Sequence, residues 1–342
     1  MNYRPTIKDV AKAVGVHAST VSRALNPEKR GRLSDELVAR VLETADRLGY
    51  RANAMAASLR TRRSLAIGVI IPDITDPVFP PILMGIEDAL HDDGYISVVA
   101  NTNNDPERAR VMVTRLIDRQ LDGLILATAL RRDPLVDLCL AQGMPAVFVT
   151  RRDESRRIPS VVSDDEVGIQ LAIEHLVELG HRRIAHLAGP QVLSTGFARR
   201  RGFEFAMAEI EATPPPAWIV EAETYSRPAG HRAFVELLGR SRDFTAIVTG
   251  NDLLALGCFD AMREMGLTCP GDISVTGYND IPLVDLVSPS LTTVRIRHHD
   301  MGAEAAKVLI DTIDERGRSS VIDIVLKPDM VVRGSTAAPR VA

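Results

Sequence analysis

Residues 5–26 read PTIKDVAKAVGVHASTVSRALN, and their spacing predicts two short helices joined by a tight turn. Thr6 is a suitable N-cap, and Asp9 three places on completes a capping-box-like pair. Ile7, Val10, Ala11 and Val14 recur at i, i+3, i+4, i+7, which gives the first helix one apolar face. Gly15 permits a sharp turn, and Val16, Val21 and Leu25 are placed to pack the second helix on the first. Ala18, Ser19, Ser22, Arg23 and Asn26 then face outward, small or polar with one arginine. Such a face suits the floor of the DNA major groove, where Arg pairs bidentately with guanine. The alternative for the pattern alone is an αα-hairpin with a solvated face.

The surroundings favour DNA. Residues 34–48, SDELVARVLETADRL, predict a third helix capped by Ser34, with Asp35 and Glu36 at its positive end. Leu37, Val38, Val41, Leu42, Ala45 and Leu48 form its expected buried stripe, and Gly49 stops it. Residues 51–63, RANAMAASLRTRR, carry a possible cap at Asn53 and a helix of about two turns through Leu59, too short to hold alone in water. Arg60, Arg62 and Arg63 suit contacts with phosphates, against the plainer reading of a charged linker. Residues 1–63 hold 13 Lys and Arg against 6 Asp and Glu, while the whole chain of 342 carries −4. A basic head on an acidic body points to a polyanion partner for the head.

From Leu65 the texture changes to short Val/Ile runs between helical patterns. Expected strands are Leu65–Ile71, Ile96–Ala100, Gly123–Ala127, Ala146–Thr150, Ile184–Ala188, Ile219–Glu221, Ala246–Thr249 and Ile273–Gly277. Repeated βα units give parallel sheets flanked by helices, and a segment this long implies two lobes with a ligand between them. Ligands in such folds bind beyond the carboxyl ends of strands. That rule selects Asp73, Asp76, Phe79, Asn101, Asn103, Thr150, Arg151, Asp164, Arg199, Tyr225, Asn251, Asp252 and Asn279. Amides, carboxylates, arginines and two aromatics suit a polyhydroxylated ligand, although loop ends are polar in any case.

Several classes are excluded or disfavoured. No run of about 18 apolar residues suggests a membrane span, and the N-terminus has no secretory apolar region. Three scattered cysteines, Cys139, Cys258 and Cys269, suggest neither a disulfide framework nor a zinc site. There is no dinucleotide fingerprint, P-loop or nucleophile elbow, so the sequence assigns no catalytic residue, cofactor or metal. A cytoplasmic protein is expected.

The chain resembles the LacI/GalR transcriptional regulators over nearly its whole length. The carriers are TIKDVAKAVGVHASTVSRALN, NAMAASLR, GVIIPDITDPVF, LDGLILAT, HLVELGHRRIAHLAGP, ARRRGFEFAM, GNDLLALG, DISVTGYNDI, PSLTTVRI, MGAEAA and VVRGST, in that order. The resemblance implies an α/β chain: a small all-α helix-turn-helix headpiece (1–50), a hinge helix (51–63) and a two-lobed periplasmic-binding-protein-like body (64–340). The lobes are expected at about 64–162 with 293–325, and 163–292 with 326–340. It implies a repressor that binds a pseudo-palindromic operator as a homodimer and responds to a small effector, a sugar or sugar derivative. Ala18, Ser19 and Arg23 match base-reading positions. Thr20, Ser22 and Asn26 match backbone-supporting ones, and Thr6 and His17 join the DNA side. On the hinge, Asn53, Ala57 and Arg60 flank Leu59, which matches the leucine that wedges into the minor groove. Arg199 matches the family's ligand-binding arginine, and Phe79, Asp164, Tyr225, Asn251 and Asn279 match its other cleft positions, beside Asp76, Asn101 and Arg151.

The sequence departs from the family pattern in three places. His17 replaces the usual serine cap, Ala18 removes a polar base reader, and Asn279 stands where many members have Asp. With no leucine heptad after Val331–Thr336, dimers are expected rather than tethered tetramers. A periplasmic solute-binding protein and a two-lobed enzyme of sugar metabolism are the rival readings.

Overall fold

The computed structural model describes residues 5–51, 63–314 and 321–340. It divides into two compact units, Met1–Ser64 and Leu65–Ala342. The expected hinge residues Asn53, Ala57, Leu59 and Arg60 lie outside the described residues.

The first unit holds α1 (Ile7–Val14), α2 (Ala18–Leu25) and α3 (Asp35–Arg47). The Thr6 backbone N–H and hydroxyl both donate to the Asp9 carboxylate, at 2.8 and 2.7 Å, which fixes the start of α1. Gly15 ends it at φ +77°, where a side chain would be strained, and its N–H returns to the Ala11 carbonyl at 2.9 Å. Val10, Ala11, Val14, Val21, Ala24, Val41 and Ala45 form the core. Arg40 of α3 donates to the Val14 carbonyl at 2.9 Å, satisfying an acceptor that the end of α1 leaves open. The stripe expected on α3 is too wide. Leu42 and Leu48 are exposed and Thr44 is buried, because the contact with α1 and α2 uses the narrower set Leu37, Val38, Val41 and Ala45.

The second unit contains two six-stranded sheets. Its elements are β1 (Ala66–Ile71), α4 (Phe79–Asp92), β2 (Ile96–Asn101), α5 (Pro106–Asp118), β3 (Gly123–Leu126), α6 (Pro134–Ala141), β4 (Ala146–Val149), β5 (Ser160–Ser163), α7 (Asp165–Glu178), β6 (Ile184–Ala188), α8 (Ser194–Glu209), β7 (Ile219–Glu221), α9 (Arg227–Arg240), β8 (Ala246–Thr249), α10 (Asp252–Glu264), β9 (Ser274–Asn279), β10 (Thr292–Arg295), α11 (His298–Asp314), β11 (Asp323–Leu326) and β12 (Asp329–Val331). The first sheet runs β11-β5-β4-β3-β1-β2 and the second β12-β10-β9-β8-β6-β7. All neighbours are parallel except β10 and β12. Each sheet therefore reverses its strand order once, at β1/β3 and at β6/β8, and a crevice opens beyond the strand ends at such a switch point.

The chain passes between lobes three times: after β5, after β10 and after β11. Thr292–Arg295 pairs with β9, so the expected lobe boundary at 293 moves to the segment after Arg295. The following helix, α11, returns to the first lobe and packs on α4. Glycines set that contact. A Cβ on Gly85 would meet the His299 carbonyl oxygen at 2.0 Å, and one on Gly302 would meet the Ile82 carbonyl oxygen at 2.0 Å. The backbones of the two helices touch where neither carries a side chain.

Candidate functional site

In the headpiece, the outward face of α2 is as expected from the spacing. Ser19, Ser22 and Arg23 are exposed, while Ala18, Thr20 and Asn26 are half-buried along its margin. His17 does act as the cap of α2. Its Nδ1 accepts the Ser19 N–H at 3.3 Å and lies 2.8 Å from the Ser19 hydroxyl. This requires the ring proton on Nε2, so the imidazole replaces a serine cap without leaving the helix end open.

In the body, the central cleft lies where the two switch points face each other. An inner cavity of about 40 Å³ is lined by Asp76, Phe79, Thr150, Arg151, Ser163, Asp165, Thr195, Arg199, Tyr225, Asn251, Asn279, Ile296 and Met301, with Val78. An outer cavity of about 350 Å³ shares Asp76, Arg151 and Tyr225 with it. The outer walls add Pro72, Ala109, Leu130, Pro134, Leu135, Pro190, Val192 and Leu193.

Arg199 is the centre of the inner cavity. Its Nε donates to Asp165 at 2.8 Å, one Nη to the Gly250 carbonyl at 2.6 Å and the other to Asn279 Oδ1 at 3.4 Å. The guanidinium also lies 3.7 Å over the Tyr278 ring. Burial opposes its charge, but the Asp165 carboxylate more than offsets this and holds Arg199 above its ordinary pKa. Asn251 caps α10, accepting the Leu254 N–H at 2.9 Å and leaving its amide N–H groups for the cavity. Asn279 sits at φ +115°, a backbone angle that turns it inward at the end of β9. Burial pushes the Asp76 carboxyl and the Tyr225 phenol upward. Asp252, behind the cavity wall, accepts the Ile281 N–H at 2.9 Å and is pushed up to about 7 by burial.

Four expected positions, Asn101, Asn103, Asp164 and Asp252, do not line these two cavities. Asn101 accepts the Ile74 N–H at 3.1 Å and donates to Asn103 at 2.6 Å, so its side chain braces the loop after β1. Asp164 caps α7 through the Val167 N–H at 3.2 Å. The inward carboxylate is its neighbour Asp165, a side chain that the sequence reading passed over. Ser163, Thr195, Ile296 and Met301 were missed as well. Ser163 ends β5 and Ile296 follows β10, short Ser/Thr-bearing strands without a clear apolar run, while Thr195 and Met301 lie in the first turns of α8 and α11.

The cleft mouth is held at one side by direct contacts between lobes. Leu130 forms an antiparallel bridge with Leu193, the Arg131 N–H donates to the Val192 carbonyl at 2.9 Å, and the Arg131 guanidinium lies 3.6 Å over the Phe197 ring. Among the described residues no group of His, Cys, Asp and Glu is placed to hold a metal ion. None of the described helices is long and apolar enough to cross a membrane.

Comparison with known proteins places both sites in a family context. Residues 6–53 match the model of bacterial regulatory proteins of the lacI family, and residues 173–336 match a periplasmic binding protein-like domain. The HTH-type transcriptional repressor PurR of Edwardsiella ictaluri is 31% identical, with 97% of each chain covered. The HTH-type transcriptional regulator MalR of Streptomyces coelicolor is 33% identical over 97% of this chain and 96% of its own. A lac repressor dimer bound to operator and the anti-inducer ONPF superposes with a TM-score of 0.87 at 27% identity, covering 98% of this chain and 100% of that one.

Proposed function

The chain belongs to the LacI family and is a DNA-binding transcriptional repressor; from that premise we propose that it binds a pseudo-palindromic operator as a homodimer and changes its grip when a small effector enters the body cleft. The headpiece (1–50) reads one half-site, with Ala18, Ser19 and Arg23 on bases and Thr6, His17, Thr20, Ser22 and Asn26 near phosphates. The hinge (51–63) contributes Asn53, Ala57, Arg60 and the wedging Leu59. The body (64–340) takes the effector, a carbohydrate-like molecule, through Asp76, Phe79, Arg151, Arg199, Tyr225, Asn251 and Asn279, and the protein works in the cytoplasm.

The observation that carries this reading is the pairing in one chain of an outward, polar α2 face with a two-lobed body whose three crossings enclose a polar cavity. The homodimer is supported by apolar side chains left in water on α4 and the adjoining edge strand: Met84 is 62% exposed and Ile96 63%. A twofold dimer presents two identical heads, so its site has twofold sequence symmetry.

Selection of bound duplexes from a random library by the full-length protein tests the operator half of the proposal. Two inverted half-sites are expected, with binding that weakens steeply as salt rises. A single asymmetric site, or no enrichment over random sequence, rules it out.

A further inference from the structure

The cleft holds a buried cation that no carboxylate bonds among the described residues, although Asp76 acts on it at longer range. Arg151 lines both cavities and is only 8% exposed. Its guanidinium makes no hydrogen bond or ion pair among the described residues, in contrast with Arg199. Its backbone explains the placement. The Arg151 N–H donates to the Val149 carbonyl at 2.8 Å, closing a three-residue turn around Thr150 at φ +65°. A β-branched residue in that region is strained, and such strain persists where surrounding structure enforces it. Here it turns Arg151 toward the junction of the two cavities.

The groups opposite are also open. The next residue, Arg152, donates its N–H to Ser194 Oγ at 3.1 Å, which sets this turn against the first residue of α8. That helix has 16 residues, and its N-cap position, Leu193, supplies no side-chain cap. Among the described residues the hydroxyls of Thr195, which is 6% exposed, and of Ser163 and Tyr225 are buried without a well-formed hydrogen bond, Thr195 lying beside the Tyr225 phenol and Ser163 beside that of Tyr278. All three line the inner cavity.

Other acidic groups on the walls are engaged elsewhere. Asp73 accepts from Thr75, Asp105 and Asp133 accept the N–H groups that open α5 and α6, and Glu223 pairs with Arg232. Asp76 lies near Arg151 at longer range than a salt bridge, and its Oδ1 takes the Val78 N–H at 3.1 Å. Burial raises the Asp76 carboxyl above its ordinary pKa, against the Val78 N–H and the Arg151 charge, which lower it. A neutral ligand that displaced water here would leave Arg151 as an unpaired buried charge, beside Arg199, at high cost.

We propose that the effector carries an anionic oxygen group, carboxylate or phosphate, seated between Arg151 and the uncapped start of α8 at the junction of the two cavities. The positive end of the helix dipole, the guanidinium and these hydroxyls supply donors to one anion. The effector class is thus an acidic sugar derivative. This rests on the reading of the cleft as the effector site.

The test uses the full-length protein with inorganic phosphate, glucose 6-phosphate, glucuronate, gluconate and glucose, at matched ionic strength, read by thermal shift and calorimetry. At least one of the anions binds the wild type more tightly than glucose does, and phosphates against carboxylates identify the source. Arg151→Gln lowers that affinity by about 10- to 100-fold, Arg151→Lys recovers part of it, and Thr195→Val loses less. The Thr195→Val variant keeps the test alive should the Arg151 variants misfold. No anion-specific binding by the wild type overturns the proposal, as does stabilisation by the anions that is equal in wild type, Arg151→Gln and Thr195→Val. Operator release by a neutral sugar, with no anion binding, retains the effector reading and overturns the anion. Arg151-dependent anion binding that leaves operator affinity unchanged supports the anion site and removes the effector reading.

Discussion

The two polar regions of this protein are built in opposite ways. On α2, Ser19, Ser22 and Arg23 stand in water, and the headpiece core below them is closed without their help. In the cleft, Arg199 is buried and already bonded to Asp165, Gly250 and Asn279. The headpiece can add contacts to a partner, whereas the cleft must exchange contacts it already has. Substitutions on the two regions should therefore separate partner binding from stability.

The largest effect is expected at Asp165. Asp165→Ala leaves the Arg199 charge buried without its carboxylate and should lower body stability by about 3–5 kcal/mol in denaturant unfolding. A loss below about 1 kcal/mol would mean that the inner cavity is more hydrated than its burial implies.

Acid comes next. Burial pulls His186, in the body core, and the half-buried His298 down from 6.5 to about 4. As pH falls from 6.5 to 4 the unfolded chain takes up protons that the folded body refuses, so stability falls, by about 3 kcal/mol for His186. Asp252 acts in the opposite sense, because its raised pKa favours the folded state at low pH and that advantage is lost as pH rises through about 7. His175 and His181, also lowered by burial, act with His186 and His298, and Asp76, Asp133 and Asp165, also raised by burial, act with Asp252. His186→Phe, which keeps the stack on Phe203, should remove the His186 share of the pH dependence in unfolding experiments run across this pH window.

The headpiece predictions are smaller and of another kind. Arg23→Ala should cost about 1–3 kcal/mol of specific operator affinity and relax the preference at one base pair, with stability unchanged within about 0.5 kcal/mol. His17→Ala should remove the α2 cap and about 1 kcal/mol of headpiece stability by thermal melting, while His17→Ser retains most of it. Equal stability losses for Arg23→Ala and Asp165→Ala would erase the contrast between the two regions.

The same contrast governs what the sequence reveals. The headpiece was legible almost residue by residue, because capping pairs and the i, i+3, i+4 pattern are local. Eight strands with apolar runs were legible too, β1 through β4 and β6 through β9. The four that were not, β5, β10, β11 and β12, are three or four residues long and carry Ser, Thr, Asp or Arg at their ends. They flank the crossings between lobes, where a strand gains its place from its sheet neighbour and not from its own pattern. For the same reason Asp165 was hidden beside Asp164. Both are carboxylates at a helix start, and only the path of the chain after β5 decides which one caps the helix and which one meets Arg199, 34 residues on. The tie at Leu130 and Leu193 has no local signal at all.

The most direct test of the account is an operator titration by fluorescence anisotropy, with and without a compound that stabilises the body. If cleft and headpiece are coupled, the compound changes operator affinity by roughly 5- to 150-fold, and operator changes affinity for the compound by the same factor. Identical operator affinity with the cleft filled and empty would contradict it.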